Sequence, residues 1–145
     1  MTAIERLLDE GRLEVVKVDA NAATTKLEEA KRHLRSAAAI ADSDAEGSYS
    51  LLYDAARKAI DAHMLAHGYR ASKKKLGAHE ATARYGAAAI SAEYVADATA
   101  LDRMRKQRNR TEYDSWHISE RTLEHDLAHA KRLVSAVAEA LAAGS

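Results

Sequence analysis

The stretch from Ser119 to Leu141 reads SERTLEHDLAHAKRLVSAVAEAL, and it sets the fold class. Leu123, Leu127, Ala130, Val134, Val137 and Leu141 recur at intervals of three and four residues. That spacing stacks them on one face of a helix with 3.6 residues per turn and leaves the charged residues on the other. Ser119 stands where an N-cap belongs, and Glu120 places a negative charge at the positive end of the helix. An apolar stripe of this length needs other elements to cover it.

The rest of the chain supplies them. Thr25-Lys26-Leu27-Glu28 has capping-box form. The helix after it carries Leu27, Ala30, Leu34, Ala37 and Ala41 on one stripe, and the polar segment 42–47 ends it. A helix beginning around Ser48 holds Leu52, Ala55, Ala56, Ala59, Ile60 and Met64 on one side and closes at His67-Gly68. Another starts near Ser91 or Glu93 and carries Tyr94, Ala98, Leu101, Met104 and Arg108 in one line. Shorter pieces fill the gaps. A second capping box, Thr2 to Glu5, opens a short helix with Leu7 and Leu8 that Gly11 stops. Residues 12–23, with Val15, Val16 and Val18, are expected to be extended or irregular, either an arm on the surface or a short strand. Residues 69–78, with Lys73-Lys74-Lys75 and Gly77, form a loop. His79 to about Ile90 is an alanine-rich helix whose end Gly86 weakens. The expectation is an all-α protein, an antiparallel four-helix up-down bundle with short extra helices. Residues 1–23 form an N-terminal helix and arm and residues 24–145 the bundle, one domain overall.

Composition agrees with that class and removes several functions. The 145 residues include 33 alanines, six glycines and no proline or cysteine. Alanine favours helix, and proline never interrupts it. Without cysteine there is no disulfide framework, thiolate metal site or cysteine nucleophile. Scattered glycines exclude an ATP-binding P-loop. No run reads as a signal peptide or a membrane span, so a cytoplasmic protein with no membrane partner is expected. The 22 bases and 22 acids balance, so an anion site must come from local clustering.

The densest cluster lies within Leu101 to His117, LDRMRKQRNRTEYDSWH. Arg103, Arg105, Lys106, Arg108 and Arg110 fall within eight residues that contain no acid. Arg108 continues the apolar stripe of Ala98, Leu101 and Met104, so it points inward or into a contact. A guanidinium keeps its charge there and needs an acid or an anion beside it. Glu112, four residues on, is one partner. A phosphate gripped by the arginine fork, with Tyr113 or a histidine moving a proton, is the other.

Tyr53-Asp54-Ala55-Ala56-Arg57-Lys58-Ala59 opens a helix in the manner of HEPN domains. Arg108-Asn109-Arg110-Thr111-Glu112-Tyr113 stands on the third long helix, where that family carries an arginine, a polar residue and, a few residues later, a histidine. Over about residues 24–142 the chain resembles short single-domain HEPN proteins of the actinobacterial type. The resemblance implies a dimeric four-helix bundle with its active site at the homodimer interface. It also implies metal-independent cleavage of RNA, the 2′-hydroxyl attacking the phosphate while arginine stabilises the developing charge. It further implies a toxin of a toxin–antitoxin pair, its cognate antitoxin of nucleotidyltransferase type, or an anti-phage effector. Carried onto this chain, the catalytic residues are Arg108, Asn109, Tyr113 and His117. Arg103, Arg105, Lys106 and Arg110 bind the RNA backbone, and no metal or other cofactor is needed. Tyr113 replaces the family's histidine. A phenol, with a reference pKa of about 10 against about 6.5 for imidazole, is the poorer proton carrier. His117, at Arg110-x6-His117, is a possible stand-in. The alternative is an inactive HEPN module that binds RNA, a nucleotide or a protein partner. A purely structural oligomer, its arginines forming dimer salt bridges, is a third account.

Two histidine pairs, His63/His67 and His125/His129, have the i, i+4 spacing of metal ligands on one helical face. Without a Glu-x-x-His they read as surface or interface histidines. Lys73-Lys74-Lys75, with Arg70 nearby, reads as a solvated loop that extends an RNA surface only if it lies near Arg108. Tyr49, Tyr53, Tyr85 and Tyr94 read as packing residues whose hydroxyls reach polar partners. Trp116 reads equally as core, dimer anchor or base-stacking residue.

Overall fold

The computed structural model describes residues 1–113 and 117–144, and the side chains of residues 112 and 113 lie outside that description. The described chain is mostly helical. In order it forms α1 (Ala3–Asp9), β1 (Leu13–Val15), α2 (Ala20–Ile40), α3 (Ala45–His67), β2 (Tyr69–Ala71), α4 (Ala78–Ala89), α5 (Val95–Tyr113) and α6 (Glu120–Ala142). One 3-10 turn, Ala92–Tyr94, leads into α5.

Helix α3 is the centre, in contact with α2, α4, α5 and α6. Its sequence explains why. Tyr49, Leu52, Tyr53, Ala55, Ala56, Ala59, Ile60, Ala62 and Met64 are all buried, and they cover more than half of the helix's circumference, leaving Asp54, Arg57, Lys58 and Asp61 on the remaining side. An apolar face that wide needs several neighbours to cover it. The neighbours each bring one stripe: Ala23, Leu27, Ala30 and Ala37 from α2, Ala98, Leu101 and Met104 from α5, and Leu123, Ala130, Val134 and Val137 from α6. Each large apolar side chain buried in this way contributes roughly 2 kcal/mol before its entropic cost.

Glycine fixes two of these packings. Gly68 takes the left-handed conformation (φ 81°) that ends α3, and its N–H returns to the Met64 carbonyl. Gly86 lies where α4 crosses α3, and a Cβ there would sit 3.1 Å from Ile60 Cδ1. Here glycine permits close approach, beyond the weakening of the helix end expected from its propensity.

The caps divide into those that held and those that moved. Thr2 and Glu5 form a reciprocal capping box at α1, and Ser119 caps α6. Helix α2, however, begins at Ala20, capped by Asp19, whose carboxylate accepts the Ala22 N–H at 2.9 Å. Thr25 and Glu28 therefore lie inside the helix, and so does the boundary expected at residue 24. The alanine-rich segment Ala20–Ala23 prefers to extend the helix to the earlier cap. Asp44 likewise starts α3 at Ala45, three residues before the expected Ser48, by accepting the Gly47 N–H.

Of the two alternatives for the stretch before α2, the strand is found. β1 pairs antiparallel with β2, Leu13 opposite Ala71, Glu14 opposite Arg70 and Val15 opposite Tyr69. Leu7 of α1 and Leu13 of β1 are buried in the same core as the long helices. No helix among the described residues is long and apolar enough to cross a membrane.

The two candidate starts of α2 are separable by mutation. Asp19→Ala removes the observed cap and should lower stability by about 1 kcal/mol in urea denaturation. Thr25→Ala, at an exposed interior position, should leave the midpoint unchanged or slightly raised.

Candidate functional site

The rotation of α5 about its own axis is set from α6. Asp126 has no solvent exposure. Its carboxylate accepts two hydrogen bonds from Arg103, at 2.9 and 2.5 Å, and one from the Tyr49 hydroxyl at 2.6 Å. Burial pushes the Asp126 carboxyl up, but the bonds from Arg103 and Tyr49 outweigh it and hold the group below the usual carboxylate range. Arg103 is thereby committed to a carboxylate on α6.

Five residues on, the helix has turned by about 140° net. Arg108 is half-buried, with its guanidinium carbon 5.0 Å from the centre of the Tyr53 ring on α3. This is a cation–π contact, and it confirms the inward direction expected from the stripe. The Tyr53 hydroxyl lies 3.1 Å from Nδ1 of His79, at the start of α4. Arg57, one turn along α3, is 3.0 Å from Asp61 and 3.7 Å from Asp54.

The charges of Arg57, Arg105 and Arg108 act on both Tyr53 and His79. Burial, partly offset by those cations, pushes the Tyr53 phenol up to about 12. Burial and then the same cations push His79 below its ordinary value. At neutral pH the phenol keeps its proton and the imidazole is uncharged. When Nδ1 donates its hydrogen to the Tyr53 oxygen, Nε2 carries the lone pair on which the ring can take a proton. His79 and Arg57 also line a cleft of ≈ 320 Å³ together with Lys26, Arg70, Lys73 and Asp61. Several cations and a neutral imidazole at one cleft, with the buried Tyr53 hydroxyl behind the imidazole, can hold an anionic oxygen and move a proton beside it.

The other residues of the basic stretch go elsewhere. Arg105 and Lys106 turn back to Asp102, at 2.9 and 3.4 Å. Burial pushes the Asp102 carboxyl up, but hydrogen bonds from Arg105 and Lys106 bring it below its ordinary value. The run without acids is therefore compensated from just outside it, by Asp102, and from another helix, by Asp126. Asn109 is half-buried beside Arg108, and Arg110 is exposed. His117 is exposed, 3.2 Å from Glu46, which lies two turns before Tyr53 on the same face of α3, roughly 10 Å away. Tyr113 ends α5, and its side chain lies outside the described residues. So do the side chain of Glu112, the other partner weighed for Arg108, and all of Asp114 and Trp116. Residues 69–71, expected as loop, form β2, where Arg70 is bonded to Glu14; in the loop that follows, Lys75 is bonded to the Glu10 carbonyl and Lys73 reaches the cleft.

His79 is the residue that sequence reasoning missed. It stands two residues after Gly77 at a helix start, and no local pattern marks it. Tyr53 and Arg57 were noticed in the family-like stretch but not assigned to the site. The tyrosines behave as expected: Tyr49 reaches Asp126, Tyr53 reaches His79, Tyr85 reaches His63 at 2.9 Å and Tyr94 reaches Glu139. No family model, curated protein or solved structure matches the chain.

His63 gives a pH test of this interior. Burial, with His67 beside it, pushes its pKa from 6.5 down to about 4. Between those values the unfolded chain holds a proton that the folded chain does not, so stability falls as pH drops through that window. His79 adds to the effect in the same direction. Unfolding free energies from urea titrations should therefore decline below pH 6.5, by on the order of 3 kcal/mol in all for His63. His63→Gln should flatten the decline.

Proposed function

We propose that the protein is a metal-independent endoribonuclease of the HEPN type. In this reading it is an up-down helical bundle that works as a homodimer in the cytoplasm. The observation that carries it is Arg108, held over the ring of Tyr53, whose hydroxyl meets the His79 imidazole that lines a basic cleft together with Arg57. Arg108 and Arg57 neutralise the phosphate. Arg108 also stabilises the charge that develops as the 2′-hydroxyl attacks. The neutral imidazole of His79, its Nδ1–H donated to the Tyr53 oxygen, takes the hydroxyl proton at Nε2 as the 2′-oxygen bonds to phosphorus; the P–O5′ bond breaks to leave a 2′,3′-cyclic phosphate, and the 5′-oxygen departs with a proton from the Tyr113 hydroxyl or from water. Tyr113, in the motif position of the family's histidine, and Asn109 beside Arg108 contact the substrate from the end of α5, and Arg110 guides the RNA backbone. The biological setting that fits such an activity is a toxin held in check by a nucleotidyltransferase-type antitoxin, or an anti-phage effector.

A second reading is an RNA-binding module without catalysis. It is favoured by the pairing of Arg103, Arg105 and Lys106 with acids of the same chain, which leaves fewer cations for the transition state, and by tyrosine at position 113.

Incubation of labelled single-stranded RNA with the protein in EDTA separates the two. The nuclease predicts cleavage that falls by about 100-fold or more in Arg108→Ala and in His79→Ala. RNA binding without cleavage, with none installed by Tyr113→His, would establish the second reading. Neither binding nor cleavage by the wild type would refute both. Sedimentation of the wild type tests the dimer.

A further inference from the structure

We infer that His125 and His129 on α6 form a binding site for a divalent, nitrogen-seeking transition-metal ion such as Zn²⁺. Their Nε2 atoms face each other at 3.2 Å. Two zinc–imidazole bonds of about 2.0–2.1 Å, opened to a tetrahedral angle, place their nitrogens about 3.3 Å apart. The spacing between the rings is therefore already that of two ligands on one ion.

A second observation fixes which atom is offered. His129 Nδ1 lies 2.8 Å from Asp97 Oδ1 on α5. Asp97 is 2% exposed, and Arg132 holds both its oxygens at 3.1 and 3.2 Å. A carboxylate at Nδ1 accepts its hydrogen, so Nε2 carries the lone pair that a metal needs. This carboxylate–histidine arrangement is how metal ligands are commonly oriented. Asp126 is close as well, its carboxylate within 4.8 Å of both imidazoles. Its oxygens already accept from Tyr49 and Arg103, so ligation falls to the two histidines, and the remaining positions are open to water or to a ligand. His125 is exposed and the His129 side chain is 20% exposed, so an ion reaches the pair from solvent.

The other histidine pair is an internal contrast at the same sequence spacing. His63 is buried with Nδ1 on the Tyr85 hydroxyl, His67 Nδ1 meets the His63 carbonyl, and the rings stack face to face at 4.1 Å. Stacked rings do not converge their nitrogens on one point. Asp97 and Arg108 are eleven residues apart on α5, roughly 16 Å along its axis. None of His125, Asp126 and His129 lines the cleft, so the metal position is a separate place on the molecule.

Titration of the full chain with ZnCl₂ by calorimetry tests the site, with circular dichroism confirming the fold of each variant. The wild type should bind one equivalent. His125→Ala and His129→Ala should each weaken that binding by tenfold or more. Asp97→Asn should weaken it by about tenfold with both ligands still present. His67→Ala should bind as the wild type does. No binding by the wild type, undiminished binding in folded His125→Ala and His129→Ala, or loss in His67→Ala would overturn the assignment.

Discussion

The arrangement of helices around α3 depends on one buried carboxylate. Asp126 lies on α6 with no exposure, and both groups that bond it come from other helices, Tyr49 from α3 and Arg103 from α5. A charge in that position is costly unless it is paired, and removing a partner costs several kcal/mol more than the pair contributes. Arg103 is half exposed, so solvent screens much of the attraction, and the net gain in stability is modest. The larger effect is on specificity. Any other rotation of α5 would strand the carboxylate, so the rotation is set, and with it the direction of Arg108 toward Tyr53.

Helix α5 needs such a device because its own apolar stripe is short. Ala98, Leu101 and Met104 are buried, and beyond them the helix is almost wholly polar. Three side chains fix one face weakly. An ion pair to α6 on one side and a cation–π contact to α3 on the other hold the charged half of the helix in place. The cations near the start of the basic stretch are thus largely structural. Arg108 lies over Tyr53 of α3, whose hydroxyl reaches His79 of α4. The cations at the cleft come from segments far apart in the chain, Lys26, Arg57, Arg70 and Lys73, and the first three are themselves paired with acids, Lys26 with Glu29, Arg57 with Asp54 and Asp61, and Arg70 with Glu14.

How much of this was legible follows from the range of each interaction. Helix type and the core stripes of α2, α3, α5 and α6 rest on contacts within a few turns, and periodicity reports those directly. The inward turn of Arg108 belongs to the same class. Helix starts were legible in kind but not in place. Asp19 and Thr25 are both sound caps, and choosing between them depends on how far the alanine segment extends the helix. The pairing of Leu13–Val15 with Tyr69–Ala71 joins segments 56 residues apart, and the Arg103–Asp126 bond spans 23. Local patterns carry no information on such partners. His79 went unnoticed for the same reason, since its importance lies in Tyr53, 26 positions earlier.

The bare backbone at position 86 acts as a gauge for the whole site. His79 and Gly86 share α4, and the separation of α4 from α3 is whatever Ile60 allows against a residue without a side chain. A methyl group at that point would press the two helices apart, and the displacement would travel along a rigid helix to its N-terminus. The 3.1 Å contact between His79 and Tyr53 has only a few tenths of an ångström to give before it ceases to be a hydrogen bond. Drift in the sequence of α4 is therefore inexpensive on its outer face and expensive on its inner one, at Gly86, two turns from His79, as at the buried Ala81 and Tyr85.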